Sequence, residues 1–531
     1  MNVLSALSTI LIAFSASYLL YVRLRTLLTY FQQDEYDTSR LWATMVRVRL
    51  FDVKASALIL FSYVIESASE KHVFAVLVIA VGLFLIGWLE QKHKFKKSLV
   101  LTDRAKRIIV LACVFAAPLA LFSAFYYPYM LLLVFQILPL AMVLSNKCLS
   151  PLQQSINENF VSLAQEKLDR MNPIRIGITG SFGKTTVKHI FAELLSGSGP
   201  VSYSPGSVNT VLGMTRHIRR RLQWSHRFFV AEMGAYGVGS VNRLCNFAKP
   251  NFGIVTSVGA AHIERFGNTD VVAQAKSELV EYVCSTAGHA VINSQVLEFK
   301  PFQDLKRKYT DQITVVGHSE TDDVQILNSE YKGGYWTIRL AFNKSKGQET
   351  EFLVPLAGEH NVVNAALAVA MCWVIDPSSI QSISFLINDI KQIPHRLQMR
   401  EAKGQPLILD DSFNSNETGF KNAVGVLSTL AKERGGKSIL VTPGIAELGV
   451  EHDAAHNRLG DYAKEFCDVV IVVNPERIPS FVSALRGAEV DVFEAPTLAD
   501  ARSTLAGFIE KQDVVLYEND LPDLLEERRF L

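Results

Sequence analysis

The chain has 531 residues, with 53 Lys and Arg against 52 Asp and Glu and a net charge of +1. So even a balance gives no compositional support for nucleic acid or another polyanion as partner of the whole chain, and the length leaves room for about three domains. Mean hydropathy is +0.18, which calls for a membrane segment, and the six cysteines are scattered with no CxxC pair, as expected of free thiols in a reducing compartment rather than a disulfide or zinc framework.

Five apolar runs occupy the first 150 residues: 3–22, 55–65, 72–89, 108–125 and 130–144. A helical span needs about 20 apolar residues, so the run at 55–65 is the short one. The first run has no small-residue cleavage site after it and is read as a retained helix, not a signal peptide. The segments 23–54 and 90–107 carry six and seven Lys or Arg, whereas 66–71 and 126–129 carry one between them. Positive-inside reasoning puts the basic segments in the cytoplasm. Five spans then leave the N-terminus outside and everything from residue 146 in the cytoplasm, as a multi-pass protein of the cytoplasmic membrane. The polar and aromatic segment 30–42 is either a contact for a lipid-linked substrate or an amphipathic interfacial helix that only packs. The domain expectation is a transmembrane domain at 1–148 and a connecting helix or linker at 149–172, followed by two α/β domains at 173–393 and 394–531.

From residue 173 short apolar runs alternate with amphipathic stretches. "IRIGIT", "FFVAEM", "FGIVTSV", "HAVINS", "LILDD", "SILVT", "DVVIVV" and "DVVLYE" read as strands, and 184–195 and 270–284 as helices. Strand–helix alternation implies parallel sheets. Residues 313–355 look different, a small antiparallel insertion with a Gly-Gly hairpin at 333–334.

Between the first strand and the first helix lies "GITGSFGKTT", residues 177–186. A glycine turn placed there lets backbone amides and the helix N-terminus face phosphate oxygens. Gly180, Ser181 and Gly183 would form the cradle, Lys184 would reach the β- and γ-phosphates, Thr185 would ligate Mg²⁺ and Thr186 would complete the loop. The spacing is not that of the common P-loop: Gly180 stands only three residues before Gly183.

The compact form Thr-Gly-x-x-Gly-Lys-Thr-Thr resembles the Mur ligase family of ATP-dependent amide-forming enzymes. The resemblance runs over about residues 172–531 through "VAEMGAYGVGSV", "GAAHIERFGNTDVVAQAKSELVE", "LAGEHNVVNAALAVA", "HRLQMRE", "ILDDSFNSNETGF" and "LVTPGIAELG". It is closest to the branch that adds D-alanyl-D-alanine to the peptidoglycan precursor. It implies a P-loop central domain and a Rossmann-like C-terminal domain, with ATP and Mg²⁺ as cofactors. By the resemblance, Glu232 and His262 join Thr185 as metal ligands, and Lys276 joins them as a carbamylated lysine. Lys184, Lys276 and His262 are then the catalytic set. Asn361 lies near the adenine, Arg396 meets the phosphates, and Asp411 and Asn414 belong to the site of ATP and the incoming amine. Two departures stand out: Glu417 takes the place of the family's proline, and Asn293-Ser-Gln replaces Asn-x-Asp-Asp. The family's soluble members begin with a UDP-sugar-binding domain, where this chain has apolar runs. The expected partners are therefore an amino acid or dipeptide amine, a lipid-linked or polymeric carboxylate, the membrane and other envelope-biosynthesis proteins, with no nucleic acid. A poly-γ-glutamate-type synthase and an ATP-driven transporter or regulator with a ligase-like domain are the alternatives.

Overall fold

The computed structural model describes residues 3–48, 52–69, 72–95, 97–259, 266–332, 334–343, 348–387, 390–413, 415–446, 448–487 and 489–521. The chain divides into two compact units, one built on Met1–Asn157 and the other on Glu158–Asp520.

The first unit is helical. Its helices Val3–Gln33, His72–Gln91 and Asp103–Tyr126, with the long one reaching Met171, are the four among the described residues that are long and apolar enough to cross a membrane. The run at 55–65 forms the helix Val53–Ser69, of 17 residues. Segment 23–54 was expected as a charged loop, but the first helix continues through it to Gln33 and a second helix covers Thr38–Val48. Arg23 consequently turns inward and is 1% exposed. It pairs with Asp52 at 2.7 Å and Glu90 at 3.0 Å, and Thr26 donates a hydrogen bond to Glu90 at 2.7 Å. A buried arginine needs such partners to offset its lost hydration. In segment 30–42, Tyr30 packs edge-on against Phe95, and Tyr36 carries the Arg104 guanidinium over its ring at 4.1 Å. Residues 151–170, expected as a separate connecting helix, continue without a break from the last apolar run in one helix, Leu131–Met171.

The second unit contains two sheets. The larger runs β2-β3-β1-β4-β5-β6-β7-β8-β9, where β1 is Ile174–Thr179, β2 Val201–Tyr203, β3 Phe228–Glu232, β4 Phe252–Val255, β5 His289–Asn293, β6 Ile313–Gly317, β7 Val324–Lys332, β8 Tyr335–Phe342 and β9 Gln348–Val354. Strands β1 to β6 are parallel throughout. "ITVVG" is therefore not part of an antiparallel insertion: β6 pairs in parallel with both β5 and β7, and the antiparallel pairings, β7 with β8 and β8 with β9, extend the same sheet. Of the hairpin glycines, Gly334 has φ +86°, as a tight turn requires, and Gly333 lies outside the described residues. The helix Lys184–Ser196 packs on this sheet because Val187, Ile190, Phe191, Leu194 and Leu195 share one face. Burial of each such large side chain stabilises the fold by about 1.5–3 kcal/mol. Helix His360–Ile375 lies against it in the same core.

The smaller sheet runs β10-β11-β15-β12-β13-β14, where β10 is Gln398–Arg400, β11 Leu407–Asp411, β12 Ser438–Thr442, β13 Val469–Val473, β14 Asp491–Ala495 and β15 Val514–Glu518. Only β10 is antiparallel to its neighbour.

Candidate active site

Strand β1 lies in the sheet between β3 and β4. The chain leaves its carboxyl end at the point where the strand order reverses, which is where open α/β sheets place their ligands. Gly180 has φ +151° and Gly183 φ +80°. A Cβ on Gly180 would collide with Thr256 Oγ1, and one on Gly183 with the Asn364 carboxamide, so both positions need glycine for conformation and for space. Lys184 opens the helix and folds back over the loop. Its Nζ donates to the Gly180 carbonyl at 2.7 Å and to the Ser181 carbonyl at 3.1 Å. Ser181 Oγ donates to the Gly259 carbonyl at 3.0 Å, and Thr186 is buried beneath the loop.

The end of β3 brings Glu232 to the first turn of this helix, where Thr185 Oγ1 donates to Glu232 Oε2 at 3.0 Å. The same oxygen accepts from Lys188 Nζ at 2.9 Å. Both members of this ion pair are buried, Lys188 at 0% and Glu232 at 1% exposure. Lys188 also donates to the Gly206 carbonyl. Burial pushes its ammonium down from the usual lysine value, and the Glu232 carboxylate opposes that shift. Lys188 was missed in the sequence. The available signal was its position four residues after Lys184, on the helix face that turns inward.

Lys276 comes from the helix Thr269–Ser285, is 4% exposed, and lines one small cavity with Gly180, Ser181, Lys184 and Asn209. Burial, with the Lys184 charge beside it, pushes its amine well below the ordinary lysine range. His262 and Asn414 lie outside the described residues.

Asn361 is not the cap of its helix; Glu359 holds that position without a side-chain bond. Asn361 instead donates to the Ala357 carbonyl at 2.6 Å and accepts from Asn364 at 3.0 Å, and Asn364 is the side chain that abuts Gly183. A buried amide chain thus supports the phosphate loop from below. Arg396 lies over the Phe413 ring at 4.3 Å; burial pushes its guanidinium down from the usual arginine value, and the Asp411 and Glu232 carboxylates oppose that shift. Asp411 accepts from the Leu397 amide at 3.0 Å and is register partner to Glu518 on β15. Glu518 is fully buried, and burial with the neighbouring Asp411 carboxylate pushes it well up, while burial raises Asp411 to about 6. Two adjacent carboxyls in a dry setting cannot both ionise freely.

The two departures noted in the sequence have local explanations. Glu417 begins the helix Glu417–Arg434, capped by Asn416, and pairs with Arg458 through bonds of 2.9 and 2.8 Å. A carboxylate in a first helical turn also meets the favourable end of the helix dipole. Asn293 donates to the Thr256 carbonyl at 2.8 Å, behind the phosphate loop, and caps the following turn through Gln295.

Residues 178–372 match the Mur ligase middle domain and residues 395–517 the glutamate ligase domain of Mur ligases. The chain is 30% identical over 291 residues to the UDP-N-acetylmuramoyl-tripeptide–D-alanyl-D-alanine ligase of Escherichia coli (strain K12), covering 54% of this chain and 62% of that one. It is 26% identical over 342 residues to the Bacillus subtilis (strain 168) enzyme of the same name, covering 64% and 66%. The chain therefore spans somewhat under two thirds of the length of these relatives. Among solved structures, MurF ligase from Thermotoga maritima in complex with ADP superposes with a TM-score of 0.57 at 25% identity, over 68% of this chain and 80% of that one. MurF from Acinetobacter baumannii superposes with a TM-score of 0.59 at 25% identity, over 70% and 81%. Through these middle and C-terminal domains the chain belongs to the Mur ligase family.

Proposed function

We propose that this protein is a membrane-anchored, ATP-dependent, ADP-forming ligase that joins a carboxylate to an amino acid or dipeptide amine in envelope or peptidoglycan-type polymer synthesis. The observation that carries the reading is the convergence of Lys184, Thr185, Glu232 and Lys276 on the carboxyl end of β1, with Arg396 within electrostatic reach. The relatives named UDP-N-acetylmuramoyl-tripeptide–D-alanyl-D-alanine ligase support a dipeptide as the amine. The four long apolar helices support a membrane anchor; with the shorter helix Val53–Ser69 taken as a fifth span, the basic segments 23–54 and 90–107 and the catalytic unit fall on one face, the cytoplasmic one, which favours a lipid-linked or polymeric carboxylate as acceptor. The domain division this reading uses is 1–148, 149–172, 173–393 and 394–531.

Amide formation from a free carboxylate is uphill, so the acceptor must first be phosphorylated. In this reading the amides around Gly180, Ser181 and Gly183, with the start of the helix at Lys184, hold the ATP phosphates. Lys184 exchanges its two loop carbonyls for β- and γ-phosphate oxygens. Thr185 and Glu232 already share a hydrogen bond and are of the oxygen-donor type that suits Mg²⁺; with His262 they would hold the metal, which supplies charge neutralisation at the phosphates. Lys276 fits the carbamylated role because its burial favours the neutral amine, the form that adds CO₂. Asn361 serves the adenine side, and Arg396, Asp411 and Asn414 serve the phosphates and the entering amine. The amine then attacks the acyl phosphate and phosphate leaves, with positioning and electrostatics as the protein's contribution.

The test is phosphate release by the detergent-solubilised full chain, with a panel of amino acids and dipeptides, with and without native lipid extract. Stimulation that needs both an amine and lipid is the expected result, abolished in Lys184→Ala with the fold intact. Wild-type ligation by Lys184→Ala, or amine-independent hydrolysis coupled to solute flux, would overturn the reading.

A further inference from the structure

Between Glu193 and Glu232 there is no Asp or Glu, yet the stretch holds Arg216, Arg219, Arg220, Arg221 and Arg227. In a chain whose whole charge is +1, this is a strong local excess. The helix Val211–Arg220 explains how it is displayed. Met214, Thr215, His217 and Ile218 face the core, which leaves Leu212, Arg216, Arg219 and Arg220 on the outer face at helical spacing. The turn that follows adds Arg221 and Trp224, and Trp224 is 66% exposed. Arg216, Arg219, Arg220 and Arg221 pair with no carboxylate among the described residues. Glu166, on the neighbouring helix, pairs with Arg170 instead.

The surface is held in place from beneath. Lys167 Nζ donates to the Ile218 carbonyl at 2.9 Å and to the Leu222 carbonyl at 2.6 Å, fixing the end of the helix. Arg219 lies over the Phe160 ring at 3.9 Å and Arg170 over Trp224 at 5.9 Å. Unpaired arginines beside a large exposed indole on a rigid support are the composition of a membrane-interface contact: guanidinium groups for phosphate headgroups, indole for the boundary with the acyl chains.

We propose that Arg216, Arg219, Arg220, Arg221 and Trp224 form a docking surface for an anionic phospholipid leaflet. The inference rests on the membrane-anchored reading above, because a tethered unit meets the leaflet at a high effective concentration. Each arginine near an anionic leaflet strengthens attachment about fivefold, so four together suffice to hold the unit down without a deep pocket. The helix starts beside Asn209, which lines the cavity of the phosphate loop. Docking would therefore bring the catalytic site toward carboxylates carried on lipids.

The experiment uses the full chain in nanodiscs of brominated phosphatidylcholine, alone or mixed with brominated phosphatidylglycerol. Quenching at Trp224 is isolated as the difference between wild type and Trp224→Phe. We expect Trp224 to be quenched in the discs containing phosphatidylglycerol and not in phosphatidylcholine alone. The quenching should vanish as the screening length falls from about 10 Å at 0.1 M salt to about 3 Å at 1 M. It should also vanish in the combined Arg216→Gln, Arg219→Gln, Arg220→Gln, Arg221→Gln variant, which keeps its ATP-dependent phosphate release in detergent. Equal quenching in both kinds of disc, or quenching unchanged in the four-glutamine variant, would overturn the proposal. So would binding of an RNA oligomer through the same arginines with no quenching in anionic discs. Alkaline carbonate extraction of native membranes scores the anchor separately: release of the wild type into the supernatant would sink the anchored reading, whereas retention of both wild type and the four-glutamine variant supports it whatever the patch does.

Discussion

Lys188→Met probes the least expected feature of the site. In the wild type, Glu232 Oε2 accepts from Lys188 at 2.9 Å and from Thr185 at 3.0 Å. At 2.9 Å and an effective dielectric near 20, the gross attraction is about 6 kcal/mol. Burying two ions at 0% and 1% exposure offsets much of it, so the pair itself is close to neutral in stability. Removing one partner is different, because Glu232 is left buried and unpaired, at a cost of about 3–5 kcal/mol. The carboxylate so released is also a better ligand for a divalent cation. We expect Lys188→Met to unfold at a clearly lower temperature without nucleotide, and Mg²⁺ with ATP to raise its melting temperature by more than it raises that of the wild type. Lys188→Met combined with Glu232→Gln should recover much of the stability but lose the Mg²⁺ response. The assay is thermal unfolding of the full chain in detergent over a Mg²⁺ titration. A loss below about 1 kcal/mol, or an equal Mg²⁺ response in wild type and variant, would refute the reasoning.

Three further outcomes can be measured. Gly183→Ala should cost about 1–2 kcal/mol from its left-handed backbone and also weaken nucleotide binding by displacing Asn364, whereas Gly206→Ala, at φ +53° with open space around its Cβ, should show the backbone cost alone; equal nucleotide affinities in the two variants would remove Asn364 from the site. His456 is fully buried and neutral, donating to the His452 carbonyl and accepting from the Ile445 amide, with burial lowering it to about 4. Its unfolded form takes up a proton below about pH 6.5, so stability should be full above that pH and fall by about 3 kcal/mol on acidification to pH 4, as read from denaturant unfolding; an unchanged slope in His456→Gln would refute this. Arg23→Leu should cost about 3–5 kcal/mol by stranding Asp52 and Glu90, and adding Asp52→Asn and Glu90→Gln should restore it, read from thermal unfolding in detergent; failure of that rescue would show that the triad is not the source of the loss.

What could be read in the sequence was what is local in the chain. The strand, glycine turn and helix of the phosphate loop occupy one contiguous stretch, and their hydrophobic spacing and turn chemistry are visible without tertiary knowledge. The buried strands of both sheets are legible for the same reason: "IRIGIT", apart from Arg175 and Thr179, and "DVVIVV", after Asp468, are apolar because both faces are covered. Strands β2 and β10 have three residues each, too few for a period, and β14 exposes four of its five residues at the sheet edge. Partners distant in sequence were also hidden. Nothing near Lys188 announces Glu232, 44 residues later, and Arg23 resembled one more basic residue of a cytoplasmic loop until the helix carried it inward. The break expected near residue 150 follows a real change in hydropathy, but an α-helix propagates across such a change as long as its backbone bonds continue, even with Pro139 and Pro151 inside it.

The charges around the phosphate loop explain why these residues belong together. Lys184, Lys188, Lys276 and Arg396 gather around the buried Glu232 side chain, and Asp411 lies beside Glu518. In a poorly hydrated site, four neighbouring cations are costly unless one gives up its proton or an anion joins them. The pressure falls on Lys276, whose ammonium is pushed well down by burial and by the Lys184 charge beside it. The remaining positive field is pre-set for a polyphosphate, whose arrival would let Lys184 release the loop carbonyls it now holds. The same field disfavours a protonated Lys276, and in the proposed reading a carbamate there would serve both the lysines and a metal at Glu232. On the proposed reading, a carbamate at Lys276 would supply the second anionic position that an acyl-phosphate ligase needs, which a site that merely binds nucleotide does not.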